Sequence, residues 1–293
     1  MLAKLIKHDF RALSKVLVPT HLAILAATII ATIGIAVNTR NSWSGVLENS
    51  YTLHVLETIM MFICVLMLIA IFASLILVAF IIFQRFYKSF MCDEGYLSFT
   101  LPVTTSQLLW SKLISAAAWI VINMLVVALC AVIFVLFGTS STQFANTEFF
   151  RDFFGFISQA NAMLGSKLVL PTIEFIVMMI VSVAYNILEV YLCLIIGGVL
   201  SQKHKILAAI GAYFGINMVV GIICSLAQIP MVTRLTNNYT YAPETPMDGV
   251  EAFDFVFGAI NPYFLLCIGI SIVLCIAFFW ASHYLLKNKL NLE

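Results

Sequence analysis

Six long apolar stretches constrain this chain more than any other feature. A helix that crosses a bilayer needs about 20 mostly apolar residues. The stretches that meet this length are 16–37, 58–83, 108–137, 169–200, 206–229 and 262–286. Lipid offers no hydrogen-bond partner to an exposed backbone, so each stretch must be helical. Hydrophobic residues make up 62% of the 293-residue chain and charged residues 10%, far from the composition of a soluble domain. We therefore predict an all-α integral membrane protein whose single transmembrane domain is 1–293.

The basic residues lie mostly on one side of these stretches. Of 15 Lys and Arg, the majority set is Lys4, Lys7, Arg11, Lys15, Arg85, Lys88, Lys112, Lys203, Lys205, Lys287 and Lys289. The opposite side holds Arg40, Arg151, Lys167 and Arg234. The positive-inside rule then predicts a multi-pass protein of the cell membrane with both termini in the cytoplasm. The net charge of +1 says nothing about partners by itself, and we expect a lipid bilayer and no nucleic acid among them.

The cysteines and histidines do not indicate a metal or disulfide site. Six of the seven cysteines lie in apolar runs, and only Cys92 lies in a polar loop. No CxxC pair occurs in the sequence, so a disulfide framework or a metal site is not expected. The histidines are scattered near the ends of the apolar stretches, which is typical of anchoring residues.

The first fifteen residues show helical periodicity. At 100° per residue, Leu2, Leu5, Ile6, Phe10 and Leu13 share one face of a helix. The opposite face is basic, with Lys4, Lys7 and Arg11 among its members. This pattern predicts an amphipathic helix, 1–15, on the cytoplasmic surface of the membrane.

Asp9 falls within the apolar arc of that helix. A carboxylate against lipid is costly. Asp9 is therefore expected either to meet a basic group or to lie at the helix edge, turned toward water.

The segment 84–107, between the second and third stretches, is rich in charged and aromatic residues. It reads "QRFYKSFMCDEGYLSFTLPVTTSQ". Asp93, Glu94 and Gly95 form a turn signal, Pro102 prevents a helix from running through, and Thr104, Thr105 or Ser106 can cap the next helix. Its large side chains on the water side are Phe86, Tyr87, Phe90, Tyr96, Leu97, Phe99 and Leu101. They predict either a docking surface or an aromatic belt at the headgroups.

The basic start "MLAKLIKHDF", the six stretches and the loop "DEGYLSFTLPVTTSQLLWSKL" together resemble the permease subunits of bacterial ATP-binding-cassette transporters, in the type-2 export family. The resemblance covers the full topology, and motifs carry it only in those two segments. It implies that 84–107 holds a cytoplasmic coupling helix gripped by a separate ATPase. Asp93, Glu94, Gly95, Tyr96 and Phe99 would face that ATPase, and Pro102 would turn the chain back. The first helix, with Lys4, Lys7, Asp9 and Arg11, would lie beside it.

The resemblance also implies partners. Two permeases would pair, as a homodimer or as a heterodimer with a related chain. No GxxxxGK[ST] phosphate loop occurs in the sequence, since "GSK" at 165–167 lacks the first glycine. We therefore expect no cofactor on this chain, with ATP and Mg in the ATPase subunit, and no catalysis by the chain itself.

Two of the loops predicted on the outer side are long. Residues 138–168 and 230–261 have room for small helices, and the piece 250–260, "VEAFDFVFGAI", is apolar but too short to span. The resemblance implies short re-entrant helices between the fifth and sixth stretches, at this piece. An amphipathic loop helix on the headgroups is the alternative.

The fourth stretch carries a polar stripe. Ser182, Asn186 and Glu189 follow helical spacing, with Tyr185 beside them. An acid at the middle of a membrane helix costs about 2.5 to 3.5 kcal/mol on insertion scales, so Glu189 should face the protein interior, a cavity or a subunit interface. The stripe is either part of a transport pathway or polar packing between helices.

The favoured function is export of an amphipathic substrate, such as a peptide, an antimicrobial or a lipid-like molecule. An immunity or sensing protein that uses the permease fold to bind a peptide is the alternative. An intramembrane enzyme is disfavoured because no HExxH and no clustered acids occur. A secondary transporter is disfavoured because no internal repeat is evident.

Overall fold

The computed structural model describes residues 2–43, 51–92, 95, 100, 102–135, 146–201, 203–240 and 248–288. These residues are almost all helical. The helices are α1 (Leu2–Trp43), α2 (Tyr51–Met91), α3 (Thr105–Ile133), α4 (Asn146–Leu164), α5 (Val169–Leu200), α6 (Lys205–Thr240) and α7 (Gly249–Asn288). A 3₁₀ turn, Gly165–Leu168, joins α4 to α5. In the described chain, six helical stretches are long and apolar enough to cross a membrane, as the sequence predicts.

The first helix differs from the prediction. α1 runs without interruption over 42 residues, so the structure does not separate 1–15 from the first span. At about 1.5 Å per residue it is about 60 Å long, twice the thickness of a hydrocarbon core. Pro19 lies inside it, and beside this proline the Thr20 hydroxyl donates to the carbonyl of Leu17 at 2.7 Å. Pro19 removes the backbone bond to the carbonyl of Lys15, a loss that membrane helices tolerate where neighbouring groups satisfy the freed carbonyl.

The last helix differs as well. α7 runs over 40 residues and includes both 250–260 and Pro262. The expected short re-entrant helix is therefore the first part of one continuous helix. Pro262 removes one backbone donor, a loss that a membrane helix tolerates where its neighbours satisfy the freed group. The predicted room for helices in 138–168 is used by α4, which spans 19 residues.

The chain forms two compact units. Apart from the first two residues, one unit is Ala3–Arg85 with Ile114–Ile157, and the other is Phe86–Leu113 with Ser158–Glu293. Both α2 and α3 therefore contribute one part to each unit.

The first unit is organised around Trp119 of α3. The indole is 3% exposed and stacks on Phe10 of α1, with ring centroids 4.8 Å apart. His21 of α1 lies over the same indole at 6.0 Å, and its Nε2 is 3.0 Å from Oδ1 of Asn123. Aromatic stacking and several hydrogen bonds, among them one from Nε1 of Trp119 to the carbonyl of Phe10 at 3.4 Å, therefore hold α1 against α3.

In the second unit, α5 is the central helix. It packs against α6 and α7, and α6 and α7 also touch each other. The buried residues of its second half are Ile187, Leu188, Glu189, Tyr191, Leu192, Cys193, Ile195 and Gly197. Residues 86–113 belong to this unit and include all but the first two residues of the predicted coupling segment 84–107.

Candidate functional site

The segment between α2 and α3 is described in part. Asp93, Glu94, Tyr96 and Phe99 lie outside the described residues. Gly95 is buried and helical, and its N–H donates to the carbonyl of Cys92 at 2.7 Å. Pro102 is exposed and lies in a bend just before α3.

A capping box starts α3. The N–H of Gln107 donates to the Thr104 hydroxyl at 3.3 Å, and the N–H of Thr104 donates to Oε1 of Gln107 at 3.4 Å. These reciprocal bonds are those of a T-x-x-Q capping box, which satisfies two donors at the helix start. Of the three residues predicted to be able to cap this helix, the structure selects Thr104. The helix begins at Thr105, three residues before the predicted stretch 108–137.

Two aromatic side chains at the end of α2, those of Phe86 and Phe90, are buried, which differs from both sequence interpretations. Phe86 is 1% exposed and Phe90 is 0% exposed. Phe86 stacks on Tyr191 of α5, with centroids 3.7 Å apart and rings 10° from parallel. Phe86 also contacts Phe90 at 4.8 Å. Neither ring is available to dock a partner or to line the headgroups, because both rings are used inside the second unit.

Tyr191 holds the start of α3 as well. It is itself 1% exposed, and its hydroxyl donates to the carbonyl of Lys112 at 3.4 Å. One side chain of α5 therefore contacts α2 where the chain leaves that helix and α3 where the chain returns.

The end of α7 gives α3 further support. The Thr105 hydroxyl lies 3.0 Å from Nδ1 of His283, within hydrogen-bond distance. One helical turn further on, Trp110 packs against Phe279 with centroids 5.0 Å apart. The first two turns of α3 are thus fixed against α5 and α7.

The start of α6 contacts the end of α2. Lys205 donates through Nζ to the carbonyl of Met91 at 2.9 Å, which places a cation at the C-terminus of α2 where the helix dipole favours it. Gly197 makes room for this arrangement, since a Cβ there would lie 2.5 Å from the carbonyl oxygen of Lys205. Similarly, a Cβ at Gly198 would lie 2.5 Å from Sδ of Met91.

A second polar group lies deeper in α5. Glu189 is 3% exposed, and Asn217 of α6 donates to its Oε1 at 2.7 Å. Tyr185 lies close to this carboxyl, and its ring packs against Phe278 of α7 at 5.6 Å. Glu189 therefore faces the protein interior, as the sequence predicts.

The stripe predicted along α5 divides into two parts. Tyr185 and Glu189 come together, whereas Asn186 is exposed and donates to the carbonyl of Ser182 within its own helix at 2.7 Å. The Ser182 hydroxyl donates to the carbonyl of Met179 at 3.0 Å. Asn217 was not predicted, although an amide inside an apolar stretch was the available signal.

Glu174 is the other buried acid of α5. Asn261 of α7 donates to both of its carboxyl oxygens, at 2.8 and 3.0 Å. Lys167, in the turn before α5, forms an ion pair with Asp254 of α7. Each buried acid of α5 thus has an asparagine partner on a neighbouring helix.

The basic face of α1 is as predicted. Lys4, Lys7 and Arg11 are exposed, and Asp9 is 5% exposed. Nδ1 of His8 lies 4.0 Å from Oδ1 of Asp9. Burial of this acid agrees with its position in the apolar arc and excludes the interpretation that it turns toward water.

Two further findings bear on function. Within the described residues, no three His, Cys, Asp or Glu side chains are grouped so that they could hold a metal ion. The chain matches no protein-family model, no curated protein and no solved structure.

Proposed function

We propose that this chain is the membrane-spanning permease subunit of an ATP-binding-cassette transporter of the type-2 export family. It would couple ATP hydrolysis by a separate cytoplasmic ATPase to export of an amphipathic substrate. The observation that supports this most directly is the attachment of Tyr191. Its ring stacks on Phe86 of α2 and its hydroxyl donates to the carbonyl of Lys112 in α3. One residue of α5 therefore contacts both of the helices that flank the segment 92–104.

This attachment is suited to transmitting movement. A displacement of the segment 92–104 acts on the ends of α2 and α3, and close-packed contacts there transmit strain rather than absorb it. The movement then reaches α5, where Glu189 lies two residues before Tyr191 and contacts Asn217 of α6. Coupling in this proposal is therefore a shift of α5 against α6.

The partners follow from the same proposal. Two permeases would pair, as a homodimer or with a related chain, and cytoplasmic ATPase subunits would bind ATP and Mg. Asp93 and Glu94 would face the ATPase, and Lys4, Lys7 and Arg11 would lie at the cytoplasmic surface. The protein would belong to the cell membrane with both termini in the cytoplasm.

Charge reversal at the predicted contact tests the proposal. The variant Asp93→Lys/Glu94→Lys should lose most of its association with the ATPase subunit, because like charges replace complementary ones at the interface. The measurement is co-purification of tagged permease with the ATPase, together with ATP hydrolysis in the purified complex.

A matched control makes the result specific. Glu148→Lys/Asp152→Lys changes the charge by the same amount in a loop predicted on the outer side, and it should leave association and hydrolysis unchanged. Equal association of all three proteins would contradict the proposal.

The immunity or sensing alternative is separated by transport itself. Vesicles that contain the permease with its ATPase should accumulate an amphipathic peptide when ATP is supplied, whereas permease alone should not. Binding of the peptide without ATP-dependent accumulation would favour the alternative.

A further inference from the structure

A cleft of about 700 Å³ opens between the end of α2 and the start of α6. Its lining residues are Tyr87, Met91, Cys92, Lys203, His204, Lys205, Ile206, Leu207 and Ile210. They divide into a polar group, centred on the turn 203–205, and an apolar group on the first turns of α6. The cleft belongs entirely to the second unit and is separate from the contacts of Tyr191 and Glu189.

The polar wall is held in place by its own hydrogen bonds. Lys205 is fixed by its bond to the carbonyl of Met91 at 2.9 Å. The turn before α6 is fixed by the N–H of His204, which donates to the Ser201 hydroxyl at 3.1 Å. The cleft is therefore a feature of the folded chain rather than a gap between loose side chains.

The charge of this wall is positive. Lys203 and His204 are exposed, and none of the described lining residues is acidic. An anionic group in the cleft would meet the Lys203 ammonium, which forms no ion pair with any of the described residues.

The first turns of α6 give the cleft an apolar, exposed surface. Ile206 is 58% exposed and Leu207 is 69% exposed, and Ile210 follows one turn later. A free anion would gain nothing from these side chains. A molecule with an anionic head and a hydrocarbon tail matches both walls, because its head meets the basic turn while its tail lies along α6.

We propose that this cleft binds the headgroup of an anionic phospholipid. Lys203 and His204 contact the phosphate, and the acyl chain packs on Ile206, Leu207 and Ile210. Basic pockets at the cytoplasmic ends of membrane helices bind anionic lipids in this way, and the distribution of Lys and Arg predicts that the turn 203–205 faces the cytoplasm. The site does not depend on the proposed transport function.

Cys92 provides a probe in the unmodified chain. It lines the cleft and its thiol is exposed, whereas Cys130 and Cys193 are buried. The full-length protein is reconstituted in nanodiscs of phosphatidylcholine with increasing phosphatidylglycerol, and the rate of reaction with a water-soluble maleimide is measured. Cys92→Ser gives the background from other thiols. Phosphatidylglycerol should slow the reaction of Cys92 several-fold, because the bound headgroup covers the thiol.

Two variants assign the effect to the cleft. Lys203→Gln should require about fivefold more phosphatidylglycerol for half-maximal protection, the effect expected from removing one charge near an anionic membrane. Lys287→Gln removes an equally exposed charge from the end of α7, outside the cleft, and should leave the protection unchanged. Equal shifts in both variants would show a general surface charge and would overturn the proposal.

The lipid source is tested separately. Inorganic phosphate added to phosphatidylcholine nanodiscs should not protect Cys92, because it lacks the tail that the apolar wall needs. Protection by phosphate equal to that by phosphatidylglycerol would assign the cleft to a free anion and overturn the lipid site. A reaction rate that phosphatidylglycerol does not change would overturn it as well.

Discussion

The two halves of α5 have similar apolar sequences and different surroundings. In its first part, 169–180, the only buried residue is an acid, Glu174. In the second part, 187–197, eight residues are buried. Hydropathy is high in both parts. It reflects the free energy of transferring side chains out of water and does not depend on whether a neighbouring helix is present. The difference shows that in this chain polar contacts and close packing, rather than hydropathy, determine where helices meet.

The largest loss of stability is expected from a substitution in the closely packed second part of α5. Tyr191→Ala removes a fully buried ring that stacks on Phe86, and the cost should be about 3 kcal/mol, the lower end of the range for aromatic-to-alanine changes in cores. The measurement is thermal unfolding of the detergent-purified protein, followed by reaction of the buried thiols of Cys130 and Cys193 with a fluorogenic reagent.

Phe175→Ala is the matched control. Phe175 lies in the first half of α5 and is 57% exposed, so its removal should change the unfolding midpoint little. Equal losses for Tyr191→Ala and Phe175→Ala would mean that the two halves do not differ in packing.

A smaller effect is expected at the close approach of α5 and α6. In Gly197→Ala the new Cβ would lie 2.6 Å from the backbone nitrogen of Ala209 and 2.7 Å from its Cβ. The backbone must shift, so the variant should lose about 1 to 3 kcal/mol by overpacking. Gly211→Ala, where nothing lies within 4 Å of the added Cβ, should keep or gain stability, because alanine favours the helix. The same thiol assay checks both variants, and a stable Gly197→Ala would refute the close approach.

The number of spans could be predicted from the sequence because an apolar stretch of sufficient length needs no information about its neighbours. The helix ends could not. α1 joins the predicted helix 1–15 to the stretch 16–37 and ends at Trp43, and α7 joins the piece 250–260 to the stretch 262–286. Apolar periodicity does not show whether two neighbouring helical segments are continuous. The predicted sixth stretch begins at 262, whereas the helix passes through Pro262.

The candidate site was partly predictable for a similar reason. Glu189 stands out because an acid in an apolar stretch must be buried or paired. Its partner Asn217 depends on how α6 is rotated against α5, which no pattern within one helix contains. Phe86 and Phe90 lie beyond their apolar stretch and therefore look exposed, but they pack against each other and, through Phe86, on Tyr191, which is distant in sequence.

Smaller losses of stability are expected when the hydrogen bonds between the buried acids of α5 and their asparagine partners are removed. Asn217→Leu and Asn261→Leu each remove a bond to a buried acid, and each should cost about 0.6 to 1.7 kcal/mol, the range found for hydrogen bonds between membrane helices. Asn186→Leu, at an exposed amide that bonds within its own helix, should have no effect.

A double-mutant cycle separates the pair from its surroundings. Glu189→Leu in the Asn217→Leu background should recover part of the loss, since it removes the unsatisfied acid together with its partner. Additive losses would show that the two side chains act independently.

The smallest effect is expected at the ion pair between Lys167 and Asp254, which joins the 3₁₀ turn before α5 to α7. Both side chains are about half exposed, at 43% and 55%, so water and salt screen the attraction and Lys167→Ala should cost less than about 1 kcal/mol. The difference from the wild-type unfolding midpoint should disappear as salt is raised, whereas the loss in Asn261→Leu should persist because its partner Glu174 is buried. The exchange Lys167→Asp/Asp254→Lys should restore the midpoint at low salt. A greater loss of stability in Lys167→Ala than in Asn261→Leu at high salt would contradict this expectation. That result would mean that the surface ion pair, and not the buried hydrogen bond between Asn261 and Glu174, holds the exposed end of α5 to α7.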